Sequence, residues 1–413
     1  MKEGQHSNGV KPAVLNIGQN YRVTGGSDRY MLNLGRLLEG SGLEVVPFCA
    51  SDPRNLETPW SKFFPPAISM SQPRLRDVAN FIYSPRAAAS LKALLAYKAA
   101  AVAHLHIYYG QLTSSILEPL SASGVPIVQT LHEYKIVCPT YTLNSHGRFC
   151  QDCDGRHYWK AIVNRCNRGS VARSAVSALE SYVSRANGAL SKVSHFLAVS
   201  DFLREKVIEL GVPASKVTTV HNFIDTGGID KNYAQGEYFL YFGRIERIKG
   251  VFTLLDAIAP LKHCRLVIAG AGNDSEELRR RIEAESLNHV SYVGFKSGEE
   301  LAKLIRGCIA TISPSEWYET FGLTLIESHA HCRPVIASAI GGMTEVVHDG
   351  VDGLLTKPGD SQSIRAAIEA LVESPRRAVE WGLAGRSKVE DKFSPQKHLQ
   401  EVLSVYRAAG ANL

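Results

Sequence analysis

Residues 313–330 read SPSEWYETFGLTLIESHA and combine a polar loop with the start of an amphipathic helix. The run before this loop, 308–313, is short and apolar, as expected of a strand that is covered on both faces. Strand, loop and helix in this order form one unit of a parallel α/β sheet. The stretch therefore predicts an α/β fold, with the loop at the carboxyl end of a strand, where such sheets bind their ligands.

Two glutamates of this stretch are suited to contact a polar ligand. We predict Glu319 just before the helix and Glu327 about two turns inside it. The start of a helix offers free N–H groups and a positive dipole end, which suit a diphosphate, while carboxylates accept hydrogen bonds from hydroxyl groups. Spacing alone also allows a simpler interpretation, in which Glu319 is a favourable first-turn acid and Glu327 a solvated helix residue.

Short apolar runs alternate with helical patterns along the whole chain, and this alternation predicts parallel sheets. The strands expected in the first half are 13–18, 43–48, 101–106, 125–131, 195–200 and 216–221. Those expected in the second half are 238–242, 264–269, 290–293, 308–313 and 333–338. Turn-forming residues dominate 222–237, so we place there the linker between a first domain, 1–221, and a second domain, 238–393.

The composition is typical of a folded protein of two to three domains. Of the 413 residues 45% are hydrophobic and 21% are charged, which excludes a disordered chain, a collagen-like fibre and a small disulfide scaffold. The net charge is only +6, so we expect no nucleic-acid partner. The N-terminus lacks the apolar core of a signal peptide, and no apolar run is long enough to span a bilayer. We therefore expect a cytoplasmic protein.

The loop and helix of residues 313–330 resemble the signature of the family 4 glycosyltransferases. The resemblance rests on two glutamates eight residues apart and on two dipeptides, which are Glu319, Glu327, Pro314-Ser315 and Phe321-Gly322. It extends over nearly the whole chain. It implies the GT-B fold, in which two Rossmann-like parallel-sheet domains face each other across a cleft. The implied reaction is transfer of a sugar from a nucleotide-sugar donor to an acceptor hydroxyl with retention at the anomeric carbon.

The resemblance also implies roles for the residues of this loop. Glu319 would hold hydroxyl groups of the donor sugar, and Glu327 would hold the ribose. The remaining donor-binding residues surround the start of the helix and are Phe321, Gly322, Leu323 and Thr324, the last two through backbone amides near the diphosphate.

A basic turn follows the first strand of the second domain. Residues 241–250 read YFGRIERIKG and resemble the family segment whose cations neutralise the donor diphosphate. Arg244 and Lys249 are the matching cations, and they would stabilise charge on the leaving group. Arg247 lies between them and is chemically equivalent to Arg244, and a solvated basic turn is the alternative.

Two segments of the first domain match the family as well. Gly25-Gly26 follows the first strand and resembles the loop that borders the phosphates and sugar of the donor. His132 ends a strand and matches the histidine that faces the donor sugar across the cleft. Ser200 and Asn222 match family positions at strand ends, where supporting roles are expected. Glu345 lies close to a helix start in a further loop that resembles the family, with a glycine turn and an N-terminal acid as the alternative. A simple glycine turn and a structural histidine are the alternatives for the first two segments.

Four cysteines lie close together in an insert of the first domain, about 138–170. Cys138, Cys150, Cys153 and Cys166 have the spacing Cys-x11-Cys-x2-Cys-x12-Cys. Four thiolates suit a tetrahedral structural zinc, and His146 or His157 could replace one of them. Free structural thiols are the alternative, while the expected compartment disfavours disulfides. No catalytic cofactor is expected.

The insert is also basic and contains aromatic residues. Six cations lie between residues 148 and 173 against two acids, and Tyr158 and Trp159 are interleaved with them. This combination suits an anionic membrane interface or a lipid-diphosphate acceptor. A solvated basic face is the alternative.

Taken together, these observations predict a retaining glycosyltransferase with a lipid-linked saccharide or another hydroxyl acceptor, working at the inner face of the cytoplasmic membrane. In relatives a terminal helix crosses back onto the first domain, and we expect the same of residues 394–413. A catalytically inactive GT-B-type binding subunit and a nucleotide-sugar epimerase on the same architecture are the alternative functions.

Overall fold

The computed structural model describes residues 11–231 and 236–413. The N-terminal residues on which the signal-peptide expectation depends lie outside the described residues, and so does the part 232–235 of the expected linker. Across the described ranges no helix combines the length and the apolar character needed to cross a bilayer.

Two six-stranded parallel sheets form the centres of the two halves of the chain. The strands of the first half are β1 (Ala13–Ile17), β2 (Glu44–Phe48), β3 (Val102–Leu105), β4 (Ile127–Leu131), β5 (Asn144–Ser145), β6 (Arg148–Phe149), β7 (His195–Ala198) and β8 (Val217–Thr219). Those of the second half are β9 (Tyr238–Phe242), β10 (Leu266–Ala269), β11 (Val290–Gly294), β12 (Cys308–Ser313), β13 (Val335–Ser338) and β14 (Gly353–Thr356). The orders are β2-β1-β3-β4-β7-β8 and β11-β10-β9-β12-β13-β14, while β5 and β6 form a separate hairpin. The α/β class with two parallel sheets is confirmed.

Helices pack on both faces of the sheets, because alternate strand residues point to opposite sides. Along β1, Leu15 and Ile17 belong to one core cluster and Val14 to another. The helices of the first half are α1 (Gly26–Gly40), α2 (Leu75–Ile82), α3 (Pro85–Tyr97), α4 (Leu117–Ala122), α5 (Lys160–Val163), α6 (Val171–Ala186) and α7 (Asp201–Glu209). Those of the second half are α8 (Val251–Ile258), α9 (Ser275–Ala284), α10 (Gly298–Gly307), α11 (Leu323–Ala330), α12 (Met343–Val346), α13 (Ser361–Glu373), α14 (Pro375–Lys392) and α15 (Pro395–Ala408).

Every strand predicted from the sequence is found, and most are one to three residues shorter than expected. The sequence did not predict β14, because its four residues, GLLT, stand between turn-forming residues. It also did not predict the β5–β6 hairpin or α5, since strands of two residues and a helix of four are too short to show a period.

The last helix, α15, follows the second sheet in the chain but packs on the first domain. Val402 and Tyr406 belong to the same core cluster as Val14 of β1. The Tyr406 hydroxyl also hydrogen-bonds Nδ1 of His104, on β3, at 2.6 Å. The C-terminal helix therefore completes the core on one face of the first sheet.

Candidate active site

The loop between β12 and α11 contains the two glutamates singled out from the sequence. Gly322 precedes the helix with a φ of +103°, a left-handed conformation that favours glycine, and a Cβ there would lie 2.8 Å from the Leu325 side chain. The helix consequently begins at Leu323, so Glu327 lies just over one turn inside it. The prediction of two turns was wrong because the helix begins later than the sequence indicated. Phe321 is buried and anchors the loop in the core.

Glu319 and Lys249 form an ion pair at the mouth of α11. Nζ of Lys249 lies 2.5 Å from Oε1 of Glu319, and the Ser315 hydroxyl donates to the same oxygen at 2.9 Å. Both side chains are largely shielded, with 17% and 15% of their surface exposed. Burial acts to raise the pKa of Glu319, but the charge and hydrogen bond of Lys249 act against it and the pKa is lowered. An ionised carboxylate and a fixed cation therefore stand side by side.

The structure distinguishes the two arginines of the basic turn, which are equivalent in the sequence. Arg247 pairs with Glu277 on α9, so its charge is engaged within the second domain. Arg244 has a side chain that is 56% exposed and contacts Glu246 at 3.1 Å. Its charge also acts on Glu133 of the first domain, where it opposes a rise in the pKa of that carboxyl. Arg244 is thus the arginine of this turn whose charge acts on a carboxyl of the first domain.

A second ion pair, between Arg29 and Glu327, joins the first domain to the second. Nη1 of Arg29, on α1, donates to Oε1 of Glu327 at 3.2 Å and to Oε2 at 3.3 Å. Burial raises the pKa of Glu327, and the charge of Arg29 offsets part of that rise. The sequence analysis missed Arg29, although a cation in the first turn of a helix opposes the helix dipole and is a usable signal.

The glycine loop of the first domain lies against the start of α11. A Cβ on Gly26, the first residue of α1, would lie 2.9 Å from the Leu323 side chain, whereas one on Gly25 would meet nothing within 4 Å. Gly26 therefore lies in close contact with the Leu323 side chain, and Gly25 leaves open space beside it. The residues predicted to bind the donor, on both sides of the cleft, are accordingly brought together around the start of α11.

His132 lies at the end of a row of three neighbouring histidines. Its Nε2 is 3.2 Å from Nδ1 of His106, and the rings of His106 and His104 stack. Burial lowers the pKa of His132 to about 3, so its imidazole is neutral at physiological pH. Its backbone carbonyl accepts a hydrogen bond at 3.1 Å from the hydroxyl of Thr320, next to Glu319. His132 is thus linked to the loop that contains Glu319 by a hydrogen bond to its backbone carbonyl.

Glu133, which the sequence analysis did not select, has an unusual environment. Burial raises the pKa of its carboxyl to about 7, against the opposing charges of Lys135 and Arg244. The group therefore changes its charge within the physiological range. A signal was present in the sequence, because an acid that follows directly on a buried strand and a cleft histidine is a candidate for such a shift.

The raised pKa of Glu133 makes a testable contribution to stability. The unfolded chain ionises this carboxyl near its ordinary value of 4.5, and the folded chain near 7, so stability falls as the pH rises between the two. In Glu133→Gln this fall is expected to disappear, and the variant should gain stability over the wild type between pH 5 and pH 8. Urea unfolding of both proteins at several pH values measures the difference. If the unfolding free energies of the two proteins change with pH in the same way, the raised pKa of Glu133 is contradicted.

Glu345 acts between the domains. Its carboxylate accepts hydrogen bonds from the backbone N–H of Asp201 at 2.8 Å and of Phe202 at 2.7 Å, at the start of α7, and lies 3.1 Å from Nε2 of His221. Ser200 caps the same helix by accepting from the N–H of Leu203 at 3.0 Å. An acid from the second domain therefore completes the capping of a first-domain helix.

The insert brings its four cysteines around one small cavity. Cys138, Cys150, Cys153 and Cys166 all line it.

Of the aromatic residues of the insert, Trp159 is half exposed, but Tyr158 is buried. Tyr158 packs against α6, so of this pair Trp159 is the residue available to a surface contact.

The hairpin of the insert reaches the second domain beside the glutamate loop. The ring of Phe149 lies 4.2 Å from that of Tyr318, which also stacks on Phe202 at 5.1 Å. Tyr318 is the neighbour of Glu319 in the chain. The insert thus contacts the loop that contains the candidate catalytic carboxylate.

Two family models match this chain. One, described as Glycosyltransferase Family 4, matches residues 24–227, and the other, Glycosyl transferases group 1, matches residues 229–388. A curated relative, glycogen synthase of Mycobacterium tuberculosis, is 30% identical over 251 residues, which are 58% of this chain and 59% of the relative. Across the first five curated relatives, the matched part is between 46% and 60% of the relative's own length.

Solved structures share the whole architecture. The sucrose-phosphate synthase of Thermosynechococcus elongatus superposes with a TM-score of 0.71 at 20% identity, over 97% of this chain and 99% of that one. HepE of Anabaena, in complex with UDP and glucose, gives a TM-score of 0.65 at 17% identity, over 97% of this chain and 100% of that one. The predicted GT-B fold is confirmed. Because the two family models adjoin and together match most of its length, the chain belongs to the group 1 glycosyltransferases.

Proposed function

We propose that this protein is a retaining glycosyltransferase that transfers a sugar from a nucleotide-sugar donor to a hydroxyl of a second molecule. The observation that carries the proposal is the Lys249–Glu319 pair at the start of α11, opposite Gly26 of the first domain. A fixed cation and free helix N–H groups suit a diphosphate, and the adjacent carboxylate suits the hydroxyls of a sugar.

In the proposed reaction the bond between the sugar and the diphosphate breaks, and negative charge grows on the leaving diphosphate. Lys249, Arg244 and the N–H groups of Leu323 and Thr324 would stabilise that charge, which is the largest contribution expected of such a site. Glu319 would orient the sugar through its hydroxyls, and the neutral imidazole of His132 would face it from the first domain. The resemblance of the loop to family 4 supports retention, with the departing phosphate taking the acceptor proton.

A uridine nucleotide is the first donor to test. The structure of HepE, which shares this fold, holds UDP and glucose. For the acceptor we propose a lipid-linked saccharide of a cell-surface polysaccharide, at the inner face of the cytoplasmic membrane. The exposed side chains of Trp159 and Val163, among the cations of the insert, support contact with an anionic lipid surface.

Calorimetry with UDP, GDP and ADP tests the donor site. We expect one nucleotide to bind selectively, and Glu327→Gln to weaken it by about 10 to 100-fold, because a hydrogen bond between a charged group and a ribose hydroxyl is lost. The matched control is the same nucleotide without ribose hydroxyls, which should bind both proteins equally.

The outcomes also separate the alternative functions. Binding of a nucleotide without consumption of any nucleotide sugar, with lipid extracts present, would favour an inactive binding subunit. Conversion of the donor sugar without release of nucleotide would favour an epimerase. Equal affinity of wild type and Glu327→Gln for the intact nucleotide would contradict the assignment of Glu327 to the ribose.

A further inference from the structure

The cysteine-rich insert has little regular structure of its own. Between β4 and α6 it contains a hairpin of two-residue strands and the four-residue helix α5. Several of its turns place residues other than glycine at positive φ, and these are Tyr141, Leu143, His146, Asp154, Arg165 and Arg168. Each such residue costs roughly 1 to 2 kcal/mol, so the segment needs a compensating interaction.

The apolar core of the insert is too small to provide that interaction. The buried cluster beneath it consists of Cys153, Tyr158 and Ala161 with Ala178 of α6, and Cys166 packs against it. Of the other insert residues, Cys138 and Leu143 are buried in the main core of the first domain. Small folds with so little core are usually held by a disulfide or a metal ion. All eight cysteines of the chain are free, so no disulfide holds the insert.

The four cysteines of the insert converge from different parts of its chain. Cys138 lies in the turn after β4, Cys150 directly follows the hairpin, Cys153 lies in the next turn and Cys166 follows α5. All four line one cavity, whose other walls include the apolar Leu143, Ala161 and Leu210. The Cys153 thiol is close enough to the other three to interact with each of them electrostatically.

The histidines that the sequence left open as substitutes have other partners. Nε2 of His146 lies 2.7 Å from the carbonyl oxygen of Asn164, and Nδ1 of His157 lies 2.7 Å from Oδ1 of Asp154. Neither histidine lines the cavity. The donor set that remains is four thiols, and four thiolates in tetrahedral arrangement are typical of structural zinc.

The four cysteine sulfur atoms are spaced more widely than the ligands of one metal ion. Among the described residues, one set of three possible metal ligands has its ligand atoms within 4.8 Å of one another. This set is Asp201, His221 and Glu345, and it contains none of the cysteines. The carboxylate of Glu345 is already used by the helix start it caps, so that group does not need a metal. Binding of an ion by the cysteines would draw their sulfur atoms together, each to about 2.3 Å from the metal.

We propose that Cys138, Cys150, Cys153 and Cys166 bind one zinc ion that fixes the fold of the insert. The ion would hold the hairpin that ends at Phe149, whose ring contacts Tyr318 beside Glu319. Zinc would therefore position the glutamate loop from outside the donor site. This consequence for activity rests on the proposed function, whereas the metal site does not.

The full-length protein, purified without a metal-binding tag, is to be analysed by elemental mass spectrometry. We expect one zinc per chain, and in Cys153→Ala a zinc content reduced at least about tenfold, because three thiolates hold the ion weakly. Cys264→Ala removes a buried thiol outside the insert and is the matched control, which should keep its zinc. Replacing zinc by cobalt should give the absorption bands of a tetrahedral thiolate site.

Limited trypsin digestion gives a readout that is independent of activity. The insert contains cleavage sites at Arg148, Arg156, Lys160, Arg165 and Arg168. Chelation of the metal should make them the first sites cut, with the rest of the chain intact. Wild-type protein without stoichiometric metal, with iron in place of zinc, or with a disulfide among these cysteines would overturn the proposal, whether or not the glycosyltransferase assignment holds.

Discussion

Replacement of Lys249 by alanine is expected to lower the rate of donor consumption by a factor of about 100 to 1,000. The side chain supplies a mostly buried cation at the start of α11, within 2.5 Å of Glu319. Charge on the leaving diphosphate grows in the transition state, so the loss should appear in kcat more than in the affinity for nucleotide. Steady-state rates with the donor selected by calorimetry measure the effect.

Arg247→Ala is the matched control for this experiment. Arg247 belongs to the same basic turn, but its guanidinium pairs with Glu277 within the second domain. Its removal should change the rate by less than about twofold, as expected for an exposed ion pair. Equal losses in both variants would contradict the placement of Lys249. If Lys249→Ala does not fold, the double variant Lys249→Met/Glu319→Gln leaves no unpaired charge and should remain folded but inactive.

Glu319→Gln is expected to lower the rate by about 100-fold while the protein stays folded. The amide keeps the shape of the side chain but loses the charge that holds Nζ of Lys249 and accepts the Ser315 hydroxyl. It is also a poorer acceptor for the hydroxyls of a bound sugar. Rates and thermal unfolding are to be measured on the same samples.

Glu316→Gln provides the control for Glu319. Glu316 lies in the same loop three residues earlier, and its side chain accepts from the Thr253 hydroxyl in an exposed contact. We expect a nearly unchanged rate. A rate for Glu319→Gln within twofold of wild type would show that the carboxylate does not act on the sugar.

The sequence was sufficient to predict the two sheets and the cluster of residues around α11, because both depend on local patterns. Apolar runs identify buried strands without knowledge of their neighbours, and the glutamate loop has a distinctive spacing. The start of α11 was misplaced, since it depends on the left-handed conformation of Gly322, which spacing does not reveal.

Contacts between distant parts of the chain were beyond the sequence. The pairing of Arg29 with Glu327 joins residues 298 positions apart, and the difference between Arg244 and Arg247 arises only from the neighbours that each finds in the fold. The same holds for Glu133, whose pKa depends on its burial at the cleft. The residue types were enough to predict which side chains could bind a diphosphate or a sugar. They were not enough to predict the ion-pair partner of each charged side chain.

The position of α15 has a consequence for the synthesis of this protein. Tyr406 is fully buried and bonds His104, although 302 residues separate them in the chain. A ribosome therefore finishes the first sheet long before it makes the helix that closes one of its faces. Helix α1 packs on the same face, but the part beneath α15 stays uncovered until the second domain has been translated. We therefore expect the nascent first domain to need chaperone protection, and the two domains to reach their native state together rather than one after the other.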